Sequence, residues 1–239
     1  MIPSTVIERL RSADRVVALT GAGVSAESGV ATFRDPDGLW AKFRPEELAS
    51  MTGFMANPDR VRDWYAQRLH VVDAVEPNAG HHALVALERL VPAFTLVTQN
   101  VDRLHQRAGS TNVLEVHGNL VENRCNDCGW IDDAHHAVLQ CKTCFGPMRP
   151  NVVWFGEDLP MDVWTRAEEA TRCADVMFSI GTSAQVYPAA GLPYLAKDHG
   201  AFVIEINPDS TELTPFAHVH LRGPSGMILP ELVTALAAA

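Results

Sequence analysis

Five short apolar runs recur along this chain, and each ends in small or polar residues: "RVVALTGAG", "AFTLVTQN", "NVLEVHGN", "DVMFSIGTS" and "AFVIEINPD". Their length and β-branched content read as strands. Between them lie stretches of helical character, among them "HHALVALERLV" and "AAGLPYLAKDHG". A strand that is apolar on both faces needs cover on both faces. Intervening helices supply it, so the alternation predicts an α/β fold, a Rossmann-like, mainly parallel sheet. Ligands of such sheets bind outside the carboxyl ends of the strands. The polar ends "GAGVS", "TQNVD", "VHGN", "GTS" and "NPD" should therefore converge on one rim.

Two segments interrupt the alternation. Residues 33–75 read as a loop followed by helices, and residues 121–150 carry a cysteine array. The expected organisation is a Rossmann-like domain from residues 1–32, 76–120 and 151–239, with the two inserts forming a small zinc-binding and helical lobe. The 239-residue chain suffices for that plan. No apolar run reaches the roughly 20 residues that span a membrane, and the N-terminus lacks a signal layout, so a cytoplasmic protein is expected. A net charge of −10 argues against nucleic acid as a partner. The economy of the chain suggests a prokaryotic source, and a monomer is expected. The final alanines read as a short low-complexity tail.

Cys125, Cys128, Cys141 and Cys144 form C-x2-C-x12-C-x2-C, the pattern of a closed tetrahedral zinc site. Four protein ligands leave no position for water, so the metal would be structural. His135 and His136 read as solvated rather than ligating, and the lone Cys173 as packed. Gly21, Gly23 and Ala26 fit the strand–turn–helix dinucleotide fingerprint, although a tight strand–helix turn explains them equally well. The acidic residue that completes a dehydrogenase fingerprint is missing. A loop, "ATFRDPDGLW", stands in its place. Asn100, Asp102 and His117 are polar groups at or just after strand ends, where each singly could be a turn or capping residue.

"GAGVSAESGVATFR", "TQNVDRLH", "VHGN", the four cysteines, "GTS", "VYPAA" and "INPD" occur in this order. The set resembles the sirtuins, NAD-dependent protein lysine deacylases, from about residue 15 to about residue 230. Departures are Ala31 and Thr32, where many sirtuins have proline and aspartate, and Arg103, where many have glycine. The resemblance implies that NAD is consumed as a co-substrate. The acyl oxygen attacks the ribose carbon that bears nicotinamide, giving free lysine, nicotinamide and O-acyl-ADP-ribose. It implies that His117 is the general base and that Asn100 and Asp102 hold the ribose and the nicotinamide amide. Arg34 and Gln99 would lie beside the reacting end of NAD, with Phe33, Trp40 and Val101 as further cofactor-binding residues. Gly21, Ala22, Gly23, Ser25 and Ala26 would hold the pyrophosphate. Gly181, Thr182, Ser183, Asn207, Asp209 and Ser225 would line the adenosine half. An acyl-lysine peptide would add as a strand between Val153, Phe155, Gly156 and Glu157 on one side and Val186 and Tyr187 on the other.

In "PDRVRDWYAQRLHVVDAV", Val61, Trp64, Tyr65, Val72 and Val75 share one helical face, and Arg68 falls in its middle. A guanidinium there needs an anion. Tyr65 and Arg68 match the Tyr-x-x-Arg pair of the sirtuin subclass that removes acidic acyl groups, with Ala41 leaving room in the pocket. This predicts a desuccinylase and demalonylase that also accepts acetyl-lysine. The alternatives are a deacetylase in which Arg68 is structural, pairing with Asp63 or Asp73, and an NAD-consuming ADP-ribosyltransferase or hydrolase. A non-catalytic reader would not need His117, and a nucleic-acid zinc ribbon would need a basic one.

Overall fold

A computed structural model describes residues 2–32, 44–132 and 138–238. Strands β1 (Arg15–Thr20), β2 (Ala93–Thr98), β3 (Val113–Glu115), β7 (Val176–Ile180), β8 (Phe202–Asn207) and β9 (Val219–Arg222) form one sheet in the order β3-β2-β1-β7-β8-β9. All of its pairings are parallel. The order reverses at β1: the chain leaves on one side toward β2 and β3 and later returns on the other to β7. Connections diverge at that point and open a crevice at the carboxyl ends.

Both faces of the sheet are covered, as the apolar strands require. Val16, Ala18, Phe178 and Ile204 pack with Leu84, Leu87, Leu229 and Leu232 on one side. Val17, Leu19, Met177 and Val203 pack with Ala167, Leu192 and Ala196 on the other. A second, antiparallel sheet joins β4 (Gly118–Cys125), β5 (Ile131–Asp132) and β6 (Met148–Val152) in the order β5-β4-β6. Against it lie the helices of the first insert, Pro45–Leu48, Met51–Ala56 and Pro58–Asp73, around Phe54, Val61, Leu69, Leu120 and Trp154. The longest of these begins with Asn57 capping Arg60 N–H and proline in its first turn.

Two expectations change and one strand is added. The alanine tail belongs to a helix: Ser225–Ala238 lies against Ala79–Leu90 and buries Leu229 and Leu232 completely. Strand β9 is an edge strand whose alternating "VHLR" carries too few apolar residues to stand out by pattern. Cys173 is exposed at the end of the helix Met161–Arg172, because it lies one position past the face that buries Ala167 and Thr171. Among the described residues no helix is long and apolar enough to cross a membrane.

Burial of the last helix makes a testable demand. Leu232→Ala should lower unfolding free energy by about 2–5 kcal/mol in urea titration. A loss below about 0.5 kcal/mol, the scale of a surface substitution, would mean this helix adds little to the core.

Candidate active site

At the crevice, the turn after β1 crosses the turn after β7. Gly21 N–H donates to Ile180 O at 3.0 Å, and Gly23 N–H donates to Gly181 O at 2.8 Å. A Cβ on Gly21 or on Gly23 would stand 2.8 Å from Gly181 O. Gly181 itself has φ +59°. The fingerprint glycines are thus required by backbone crossing backbone, before any ligand is considered.

The crossing floors a cleft of about 1120 Å³. Gly21, Ala22, Gly23 and Ala26 line it beside Gly181, Thr182 and Ser183. Asn207, Asp209 and Ser225 line one end, with Glu27 and Thr211, which the sequence did not single out. Gln99, Asn100, Val101 and His117 line the middle. Tyr65 and Arg68 line the other end with Trp64 and Trp154. Val153, Phe155, Gly156 and Glu157 form one lip, and Val186 and Tyr187 the facing one. Phe33, Arg34, Trp40 and Ala41 lie outside the described residues, as do His135 and His136.

Ser25 and Asp102 do not line the cleft; they stand behind Asn100. Asn100 Nδ2 donates to Gly21 O at 3.0 Å and to Ser25 Oγ at 3.2 Å. Ser25 Oγ donates to Asp102 Oδ2 at 2.7 Å, and Asp102 Oδ1 accepts from Leu104 N–H at 2.9 Å. With Nδ2 occupied, Oδ1 is the polar atom Asn100 can offer a ligand. Burial raises the Asp102 pKa, opposed by the Leu104 and Ser25 bonds and by the Arg68 and Arg107 charges. Gln99 Nε2 donates to Thr182 Oγ1 at 3.2 Å, tying the rim across β1, and Asn207 Nδ2 donates to Thr182 O at 3.0 Å between the ends of β8 and β7.

His117 follows β3 in a turn that only glycine completes: Gly118 has φ +71°, and a Cβ there would lie 2.0 Å from Asn151 O. Nδ1 of His117 is 3.2 Å from Gln99 O. A carbonyl only accepts, so this bond places the ring proton on Nδ1 and leaves Nε2 with a lone pair. Burial lowers the pKa below the usual 6.5, with the Gln99 bond opposing. The imidazole is a neutral base at neutral pH.

At the acyl end, Tyr65 is buried and Arg68 half-buried on the same helix. The Arg68 guanidinium lies 5.0 Å from the Trp64 ring centre. Burial lowers its pKa, and the nearby Tyr65 and Asp102 oppose that. Asp63 and Asp73 are exposed. Both carboxylate oxygens of Glu157 are engaged within the protein: Oε1 accepts from Arg149 and Oε2 from Trp154 N–H at 2.9 Å. Arg149, fully buried, was not legible as a partner.

The cysteines form two similar turns. Gly129 N–H donates to Cys125 O at 3.1 Å and Phe145 N–H to Cys141 O at 3.0 Å, both residues having positive φ. The four Sγ atoms lie within 4.8 Å of one another, with 3.4 Å between Cys125 and Cys144 and 3.6 Å between Cys128 and Cys141. A tetrahedral zinc with bonds of about 2.3 Å has sulfur–sulfur edges of about 3.8 Å, so four thiolates gathered in this way suit that ion. Among the described residues this is the one metal-competent cluster of His, Cys, Asp and Glu.

The comparisons agree with this geometry. The model of the Sir2 family matches residues 21–188. The NAD-dependent protein deacylase of Aquifex aeolicus is 49% identical over 212 residues, 87% of this chain and 89% of that protein. The fold superposes on a Sir2 homolog–NAD complex with TM-score 0.93 at 46% identity, covering 100% of this chain and 95% of the other. It superposes on a Sir2–p53 peptide–NAD+ complex with TM-score 0.86 at 28% identity, covering 100% of both. A crossing of glycine turns under a neutral histidine, beside a four-cysteine module, in a chain that matches these proteins nearly end to end, places this protein in the Sir2 family, the sirtuins.

Proposed function

We propose that this protein is an NAD-dependent protein lysine deacylase that removes succinyl and malonyl groups from lysine, and acetyl groups as well. The observation that carries the deacylase reading is His117, held as a neutral base over the cleft by Gln99 O. The NAD taken up by this cleft supplies the ribose carbon that accepts the acyl oxygen as nicotinamide leaves. His117 Nε2 then takes a proton from a ribose hydroxyl. Asn100 orients the ribose and the nicotinamide amide through Oδ1. Asp102 supports it from behind by holding Ser25, so its contribution is indirect.

Tyr65 and Arg68 are the acyl-selecting pair in this reading. A terminal carboxylate takes two N–H groups of a planar guanidinium and the phenol hydrogen, which an acetyl methyl cannot do. The peptide lies between the two lips as an added strand. On the first lip the N–H groups of Val153, Phe155 and Glu157 are already bonded within the protein. That lip therefore offers chiefly carbonyls, and a peptide must turn its N–H groups toward it. Selection by backbone fits a range of acylated proteins rather than one sequence.

Residues 1–32, 76–120 and 151–239 then hold NAD, while residues 33–75 and 121–150 bring the acyl pocket and a structural zinc against them. A cytoplasmic setting suits four thiolates kept reduced for a metal. The protein acts as a monomer in this reading.

His117→Ala should abolish peptide deacylation while leaving the thermal melt within a few degrees; retained turnover would remove the base assignment. Arg68→Met should lower kcat/KM for a succinyl-lysine peptide roughly 100-fold and for the matched acetyl-lysine peptide by less than about fivefold, the loss expected of an unpaired buried carboxylate. Equal losses would make Arg68 structural. Metal analysis should find about one zinc per chain, and chelation should lower the melting temperature. A zinc-free protein of unchanged stability would overturn the metal site.

A further inference from the structure

Trp154 Nε1 donates to the Tyr65 hydroxyl oxygen at 2.9 Å, inside the protein. An indole N–H has no lone pair, so the sense of this bond is fixed. The phenol oxygen must accept, and its own hydrogen is left for a second partner. Among the described residues no acceptor for that hydrogen is present, although Tyr65 is only 3% exposed. Tyr65 and Trp154 both line the acyl end of the cleft.

Trp154 is held on every side. The Arg149 guanidinium stacks 4.0 Å above its indole, and the Phe54 ring centre lies 5.3 Å away. Its backbone N–H donates to Glu157 Oε2, and Glu157 Oε1 accepts from Arg149. Arg149 also donates to Val152 O at 3.0 Å. The indole therefore cannot swing away to release Tyr65. Burial pushes the Tyr65 pKa up to about 12, so the phenol keeps its proton.

We propose that Trp154 is a specificity-determining positioning residue: its indole N–H holds the Tyr65 hydroxyl as a donor, ready for an acceptor-only group such as the terminal carboxylate of a dicarboxylic acyl chain. This deepens the reading of Tyr65 and Arg68 as the acyl-selecting pair and rests on it. A carboxylate has four lone-pair sites and no hydrogen to offer, so it needs donors already turned toward it. Arg68 can only donate, whereas a hydroxyl can do either. Occupying the phenol oxygen from behind removes that ambiguity, and accepting one hydrogen bond strengthens the next one donated. An acetyl methyl has no use for the same hydrogen.

The test is a double-mutant cycle of wild type, Trp154→Phe, Tyr65→Phe and the double variant, assayed on matched succinyl-lysine and acetyl-lysine peptides with kcat and KM separated. Trp154→Phe should lower the succinyl-to-acetyl ratio of kcat/KM by roughly five- to tenfold, chiefly through KM, the size of one hydrogen bond to a charged group. In the Tyr65→Phe background the same substitution should move the ratio by less than about twofold, because no hydroxyl remains to be held. Equal shifts in both backgrounds, or no shift in a succinyl-preferring wild type, would overturn the proposal and leave Trp154 as packing. A wild type without succinyl preference would instead overturn the acyl-pair reading beneath it. Should Trp154→Phe fail to fold by thermal melt, benzothienylalanine at position 154 replaces the N–H by sulfur at nearly the same shape, with the same expected and overturning results.

Discussion

The site depends on two backbone turns crossing with no side chain between them. The Gly23–Gly181 hydrogen bond of 2.8 Å leaves no room for a Cβ on either strand's exit. That contact seats the helix start beside the end of β7 and sets the depth of the cleft floor. Asn100 is anchored on Gly21 O, and Ser25 and Asp102 on Asn100. A methyl group at the crossing would therefore displace polar groups well away from it.

Above this floor the protein buries charge in a connected way. Arg68 feels Tyr65 and Asp102, and Asp102 feels Arg68 and Arg107. Arg149 is sandwiched between Trp154 and Glu157. Each buried ion has an opposite charge or aromatic face nearby, which offsets a desolvation cost of several kcal/mol per ion. His117 differs: it is half-buried with a neutral partner, so it remains a base.

Arg103 shows how a departure from the family pattern is accommodated. It takes φ +58°, the left-handed conformation that suits the glycine found in many sirtuins. Its guanidinium reaches Glu122 at 2.6 Å and Glu115 at 3.4 Å, and Asn119 bridges the same two carboxylates. Those contacts lie on either side of His117 in sequence and join β3 to β4. They supply interaction energy against a local strain of about 1 kcal/mol.

The alternation of apolar runs with helices was enough to specify a parallel α/β sheet, because burial on both faces leaves a local signature in each strand. The paired C-x2-C units specified a metal centre for the same reason: tetrahedral thiolate ligation requires close spacing in the chain. The glycine turn after β1 and the polar strand ends located the rim, and the helical face around Arg68 marked a charge that lines one end of the cleft. Edge strand β9 and the terminal helix were not legible, since "VHLR" and an alanine-rich end carry little periodicity of their own and gain their burial from neighbours. Which polar groups serve the cleft was also decided in three dimensions: Asp102 and Glu157 carry the right chemistry but spend it on Ser25, Leu104, Arg149 and Trp154. The reason is physical. Apolar patterning and ligand spacing are properties of a few consecutive residues, whereas the partner of a buried donor, such as Tyr65 Oη for the Trp154 indole 89 positions away, exists only once the chain has folded.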